Sequence, residues 1–326
     1  MKTTKIIAAA LLLFSGIGAH AQEVENEPKG KAIVQIYTNF HSGFGVVNDD
    51  RGFELDRSYL GYEYDFGKGV SVKGILDIGQ SSSVNDYNHI AYIKNALVKW
   101  NVGNFTLQGG MIGMTQFNYQ EKFWGYRYIY KSFQDQYKFG SSADLGISAS
   151  YKFADWVSGD AIVVNGNGYK KLQVNDGLLY GMGWTFKPVK GLTLRLYGSY
   201  NEGDKVSAED TYVYAAFAGY KNDYFSLGAE YNIIQNMNNV EDADLEGVSL
   251  YTTVKLGKKV NAFARYDNIW SKNDWNIKKD ESTYMAGVEI RPCKYVKIAP
   301  NFRYNAPKGS DIKDQCYLYV NCFFGF

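Results

Sequence analysis

The chain has 326 residues, and its 35 Lys and Arg nearly balance 34 Asp and Glu for a net charge of +1 at pH 7. That balance argues against a nucleic-acid partner or a polybasic membrane patch. Aromatic residues reach 16% while mean hydropathy is −0.33, the combination expected when each element has one apolar and one polar face, and no later segment offers about 20 consecutive apolar residues for a transmembrane helix.

In chain order, Lys2 and Lys5 precede an apolar run over 6–14, then Ser15, Gly16 and Gly18, then Ala19-His20-Ala21. This is the pattern of a cleaved export signal covering residues 1–21, whose apolar stretch is too short to cross a bilayer. Its removal takes Lys2 and Lys5 and moves the net charge by two units, from +1 to −1. Export without a helical anchor leaves two classes, a secreted soluble protein or an outer-membrane barrel.

A polar lead-in over 22–30 follows, and 31–326 reads as one all-β unit of about sixteen segments with period-2 alternation. Short connectors at 67–69, 101–104, 154–156, 187–191, 221–223, 257–259 and 292–294 carry tight-turn residues. Long ones at 41–52, 80–89, 114–138, 165–176, 201–210, 234–246, 268–282 and 305–314 are rich in Asn, Asp, Lys and Gly. Short and long connectors alternate, as in a transmembrane antiparallel β-barrel with short periplasmic turns, and an even strand count places both ends on the periplasmic side. Sixteen strands are enough to enclose an aqueous lumen.

Within the segments, one parity is apolar. Val70, Val72, Leu76 and Ile78 alternate with Ser71, Lys73 and Asp77, and Leu192, Leu194 and Leu196 oppose Thr193, Arg195 and Tyr197. Small residues on the apolar parity, Gly74, Ala149, Ala216 and Ala218, suit subunit contacts or simply lipid. Around Lys94 the phase fails: it shares the parity of Tyr92, Val98 and Trp100. A lipid-facing Lys near the midplane costs about 2–4 kcal/mol, so a bulge or a rim position is expected there. The last segment, 316–326, ends on Phe324 and Phe326 and must pair with another strand, most simply the first. These two aromatics are read as the signal by which barrel-assembly machinery takes up the chain.

No catalytic constellation stands out, and no cofactor is implied. His41 and His89 fall at predicted loop ends without a placed Ser nucleophile, so both read as loop histidines. Three cysteines cannot complete a disulfide framework and match no zinc spacing; a Cys293–Cys322 bond near one rim stays open. The run Glu241, Asp242, Asp244 and Glu246 lacks EF-hand spacing and reads as a solvated loop rather than a Ca²⁺ site. Asn165-Gly166-Asn167-Gly168 reads as a hairpin tip.

The third long connector is the most informative segment. It carries nine aromatics between Phe117 and Tyr137 alongside Lys122, Arg127, Lys131, Lys138, Glu121 and Asp135. That much aromatic surface left in water is unfavourable, so the connector is expected to turn inward and narrow the lumen, its cations outnumbering its acids; an outer lid or a subunit contact is the alternative. By parity, Arg57, Lys73, Arg195, Arg265, Lys297 and Arg303 face the lumen, as do Glu63, Asp77, Asp160, Glu230, Asp267 and Glu289.

The opening strand, the FELDRSYLGYEYDF stretch at 53–66, the aromatic-basic third connector followed by Ser142-Ala143-Asp144-Leu145-Gly146, and the terminal Phe326 together resemble Gram-negative outer-membrane porins related to the phosphate-selective porin O/P group. The resemblance implies a trimer of sixteen-stranded barrels in the outer membrane, each constricted by its third loop. It also implies an arginine ladder, to which Arg127, Arg195, Arg265 and Arg303 contribute here while Glu63, Glu230 and Glu289 interrupt it. The expectation is a passive channel for small hydrophilic solutes with a weak preference for anions, phosphate among the candidates. One alternative is a surface adhesin or structural barrel with a plugged lumen, and the other a membrane-embedded lipid hydrolase.

Overall fold

The computed structural model describes residues 27–81, 88–174, 176–203 and 208–326. Residues 1–21 and most of the 22–30 lead-in lie outside the described residues, so the export-signal expectation has no structural counterpart here. The alternating segments form sixteen strands among the described residues: β1 Lys29–Phe44, β2 Arg51–Asp65, β3 Val70–Gln80, β4 His89–Val102, β5 Phe105–Gly113, β6 Ala143–Ala154, β7 Val157–Val164 and β8 Leu179–Phe186. They continue with β9 Leu192–Asn201, β10 Thr211–Lys221, β11 Phe225–Gln235, β12 Leu245–Lys255, β13 Val260–Ser271, β14 Glu281–Cys293, β15 Val296–Pro307 and β16 Gln315–Gly325.

Each strand pairs antiparallel with its sequence neighbours, and β1 closes on β16 through a register running from Gln35↔Gly325 to Phe44↔Cys316. The barrel therefore presents no open edge, which is how a long sheet avoids exposing a row of unpaired backbone groups. Phe326 extends the closure, since its N–H donates to the Val34 carbonyl at 3.0 Å.

The two parities face opposite environments. Leu194, Leu196, Leu250, Tyr284 and Phe302 are exposed on the outside, whereas Arg195, Ser249, Arg265, Asp267, Glu289 and Asn301 on the other parity are buried. A soluble protein would invert that arrangement; an exposed apolar belt around a closed barrel is a lipid-facing surface.

Lys94 resolves through a bulge. Ile75 pairs with Asn95 and Leu76 with Ile93, which leaves Lys94 as the extra residue. On one side of the bulge Ile93 is exposed, on the other Val98 and Trp100 are. The additional residue switches the parity, so Tyr92 and Lys94 both turn inward and no charge meets lipid. The expectation that Tyr92 shares a face with Val98 is thereby corrected.

The three cysteines are free. Cys293 ends β14 and Cys322 lies opposite Ile298 in β15, so β15 separates the two. Two strand spacings, about 9.6 Å, exceed the reach of a disulfide.

Candidate functional site

The 29 residues between β5 and β6 do not alternate, and they form two short helices, Asn118–Trp124 and Phe133–Gln136, separated by a turn. The first helix ends at Gly125, whose φ of 74° gives the left-handed cap and whose N–H returns to the Glu121 carbonyl. A residue with a Cβ is disfavoured at that position. From there the chain runs across inward-facing side chains of the wall. Phe123 meets Phe217 at 5.2 Å between ring centroids, Trp124 meets Tyr251 at 5.3 Å, Tyr126 meets Phe263 at 4.8 Å and Tyr128 meets Phe323 at 5.8 Å. Phe133, fully buried, sits over Gly247, where a Cβ would lie 2.2 Å from its ring. Burial of rings that would otherwise face water is what stabilises the segment here.

Hydrogen bonds from the wall reinforce this packing, and the wall arginines supply three of them. Arg195 donates to the Thr115 carbonyl at 2.8 Å, Arg265 to Lys131 at 2.7 Å and Arg303 to Ile129 at 2.7 Å. Each also has a wall partner: Asp160 for Arg195, Asp267 for Arg265, and Asn301 and Asn321 for Arg303. Arg265 lies between the Trp124 and Tyr130 rings at 5.1 and 5.2 Å. Tyr128 donates to Glu289 at 2.8 Å, and Tyr251 to Glu230 at 2.9 Å. Three of the four arginines expected in a ladder, Arg195, Arg265 and Arg303, are thus engaged in holding the connector backbone in place.

A second group of charges gathers at the wall of β2, β3 and β4. Arg57 pairs with Asp77 at 2.7 Å. Lys94 donates to Ser142 at 2.5 Å, and Lys170, from the connector between β7 and β8, reaches the same wall, its Nζ 4.8 Å from the Tyr92 ring. Arg127 faces this group from the β5–β6 connector, held by both Glu121 and Asp135, the latter at 2.6 Å. Lys131 completes it: burial draws its ammonium below the ordinary lysine range, opposed by Asp135 and aided by Arg57, Arg127 and Lys170. Burial likewise lowers Lys170, with Arg57 contributing. Five cations, Arg57, Lys94, Arg127, Lys131 and Lys170, therefore stand against three carboxylates, Asp77, Glu121 and Asp135, an excess of two positive charges.

The remaining expected residues lie elsewhere. Lys122 is exposed and borders a separate cavity of about 640 Å³ with Lys187, Lys190 and Lys221; Lys138 is exposed at a φ of 61°. Lys122 and Lys138 therefore stand apart from Arg127 and Lys131, although all four belong to one connector. Lys73 and Glu63 form a loose pair at 3.7 Å, and Lys297 lies over the Tyr128 and Phe323 rings. His41 has one ring nitrogen at Asn39 and the other at Asp50. Sequence reasoning missed Lys170 and Tyr169 because the 165–176 segment reads as a plain hairpin tip. In the fold Asp144 accepts from the Gly166 and Gly168 amides at 2.8 and 3.0 Å, which turns the residues that follow toward β2–β4.

The architecture is a closed, sixteen-stranded antiparallel barrel of the outer-membrane porin type. No family model matches the chain and no curated protein matches it. Among solved structures, the anion-selective porin from Comamonas acidovorans is similar over 92% of this chain and 100% of its own, with a TM-score of 0.70 and 11% identity. OprB of Pseudomonas putida covers 91% of this chain and 94% of its own (TM-score 0.70, 12% identity). OmpT of Vibrio cholerae covers 94% and 100% (TM-score 0.65, 13% identity). At such identities the likeness is one of fold.

Proposed function

We propose that this chain is an exported outer-membrane protein of a Gram-negative bacterium and acts as a passive diffusion channel for small hydrophilic solutes, with a preference for anions. On this reading residues 1–21 are a cleaved signal, 22–30 a periplasmic lead-in, and 31–326 the barrel, inserted by the assembly machinery through the Phe324–Phe326 end. The β5–β6 connector narrows the lumen against β2–β4. Homotrimers, as the family resemblance implies, would pack through the lipid face.

One observation carries the anion preference, the excess of two positive charges where Arg127 and Lys131 face Arg57, Lys94 and Lys170. In a narrow passage with low-dielectric walls such an excess raises the local concentration of anions and repels cations. Phosphate specificity of the ladder type draws less support, since Arg195, Arg265 and Arg303 spend their donors on carbonyls and wall partners. A second reading, a structural barrel with a plugged lumen, is favoured by the low side-chain exposure of Arg57, Arg127 and Asp135, at 15%, 13% and 14%. Swelling of proteoliposomes in isosmotic small sugars separates the two: swelling is expected for the channel, and none for the plug.

The lysine environments add a pH dependence. Lys131 and Lys170 both hold their protons less firmly than ordinary lysines. Rising pH therefore removes charge from these two lysines before it removes charge from lysines at the ordinary value. Anion preference, followed by reversal potential, is expected to decline on the alkaline side at a pH below the ordinary lysine range.

A further inference from the structure

The cations at the β2–β4 wall are interleaved with tyrosine rings. Tyr59, Asp77 and Tyr92 are successive cross-strand partners on one face of β2, β3 and β4. Tyr169 closes over the middle of this row, its hydroxyl 2.5 Å from Asp77 and its ring 6.3 Å from that of Tyr92, edge to face. Lys170 stands over Tyr92; Lys94 stands over Tyr169 at 4.6 Å and Tyr59 at 5.6 Å; Arg57 lies 5.9 Å from Tyr59. Exposure falls along the strip, from the exposed Lys170 through the half-buried Tyr92 and Tyr169 to the buried Tyr59.

This alternation has a chemical consequence for an entering anion. A ring over an ammonium removes part of its water and leaves the remaining directions for an incoming acceptor. A compact, strongly hydrated anion such as phosphate gains from the charge alone. A carboxylate attached to a planar apolar ring gains from the cation and, at the same time, from edge or face contact with the neighbouring tyrosines. We propose that this strip is a binding subsite that selects aryl carboxylates over inorganic phosphate and over carboxylates lacking a ring. The proposal rests on the anion-channel reading above and adds to it the class of solute.

Block of single-channel chloride current in planar bilayers tests this, with benzoate, acetate and phosphate as probes. The unmodified protein is expected to be blocked by benzoate at a concentration roughly fivefold to tenfold below that of acetate or phosphate. Tyr92→Ala is expected to lose roughly fivefold of that advantage and Tyr92→Phe to keep it. Equal block by the three probes, or an advantage unchanged in Tyr92→Ala, overturns the aryl subsite while chloride preference stands. Absence of conductance overturns the channel reading itself. The comparison of probes on the unmodified protein decides the matter even if Tyr92→Ala fails to fold.

Discussion

The double replacement Lys131→Glu with Lys170→Glu is expected to turn an anion-preferring channel into a cation-preferring one. Each substitution moves the local charge by two units, so the excess of two positive charges becomes an excess of two negative charges. At an effective dielectric near that of water, two charges act on a monovalent ion about 8 Å away with about 1 kcal/mol, and screening at 0.1 M salt roughly halves this. Attraction of one ion sign and repulsion of the other then give a permeability ratio of about five in favour of anions, inverted to about one fifth in the variant. Reversal potential under a KCl gradient reads the change directly. A variant that keeps the original sign would remove these two lysines from the ion path. Both residues lie in connectors rather than strands, so the ladder of the barrel is left intact.

The second large effect concerns the fastening of the connector. In the variant Arg303→Leu with Tyr128→Phe, the Ile129 carbonyl loses its arginine and the fully buried Glu289 loses the Tyr128 hydroxyl. The buried Ile129 carbonyl left without its donor costs about 1–3 kcal/mol, while Glu289 keeps its pairing with Arg291 at 2.5 Å and loses only one of its donors. The turn around 126–131 would then be held chiefly by Arg265 and by aromatic packing. Unitary conductance is expected to rise at least about twofold with added current noise as the constriction widens. Resistance of the barrel to thermal unfolding in detergent should change little, because the backbone ladder stays whole and only side-chain bonds, those of Arg303 to Asn301 and Asn321 among them, are removed. Unaltered conductance and noise in a folded variant would show that these contacts do not set the aperture.

How far the sequence discloses the molecule depends on the range of the interactions involved. The alternation of Leu192 to Tyr197, the tight turn at 187–191 and the terminal Phe326 are local signals, and they specify strands, register and closure because a one-residue slip would put every lipid-facing side chain inside. Lys94 marks the limit of local reading: the conflict in parity is visible, while the bulge that resolves it depends on pairing with Ile75 and Leu76. The facing of Arg265 and Arg303 is legible from parity, but their partners are not. Each bonds a carbonyl more than a hundred residues away, and only the path of the connector brings the two together. Tyr169 and Lys170 stayed hidden for a related reason: their inward turn depends on Asp144 gripping the glycine amides of the next connector.

The central claim, a water-filled barrel whose constriction carries an excess of positive charge, is tested most directly by the reversal potential of the purified protein in a planar bilayer under a tenfold KCl gradient. The account predicts steady conductance with a reversal potential of the sign set by chloride. A potential set by potassium, or a membrane that stays silent, would contradict it.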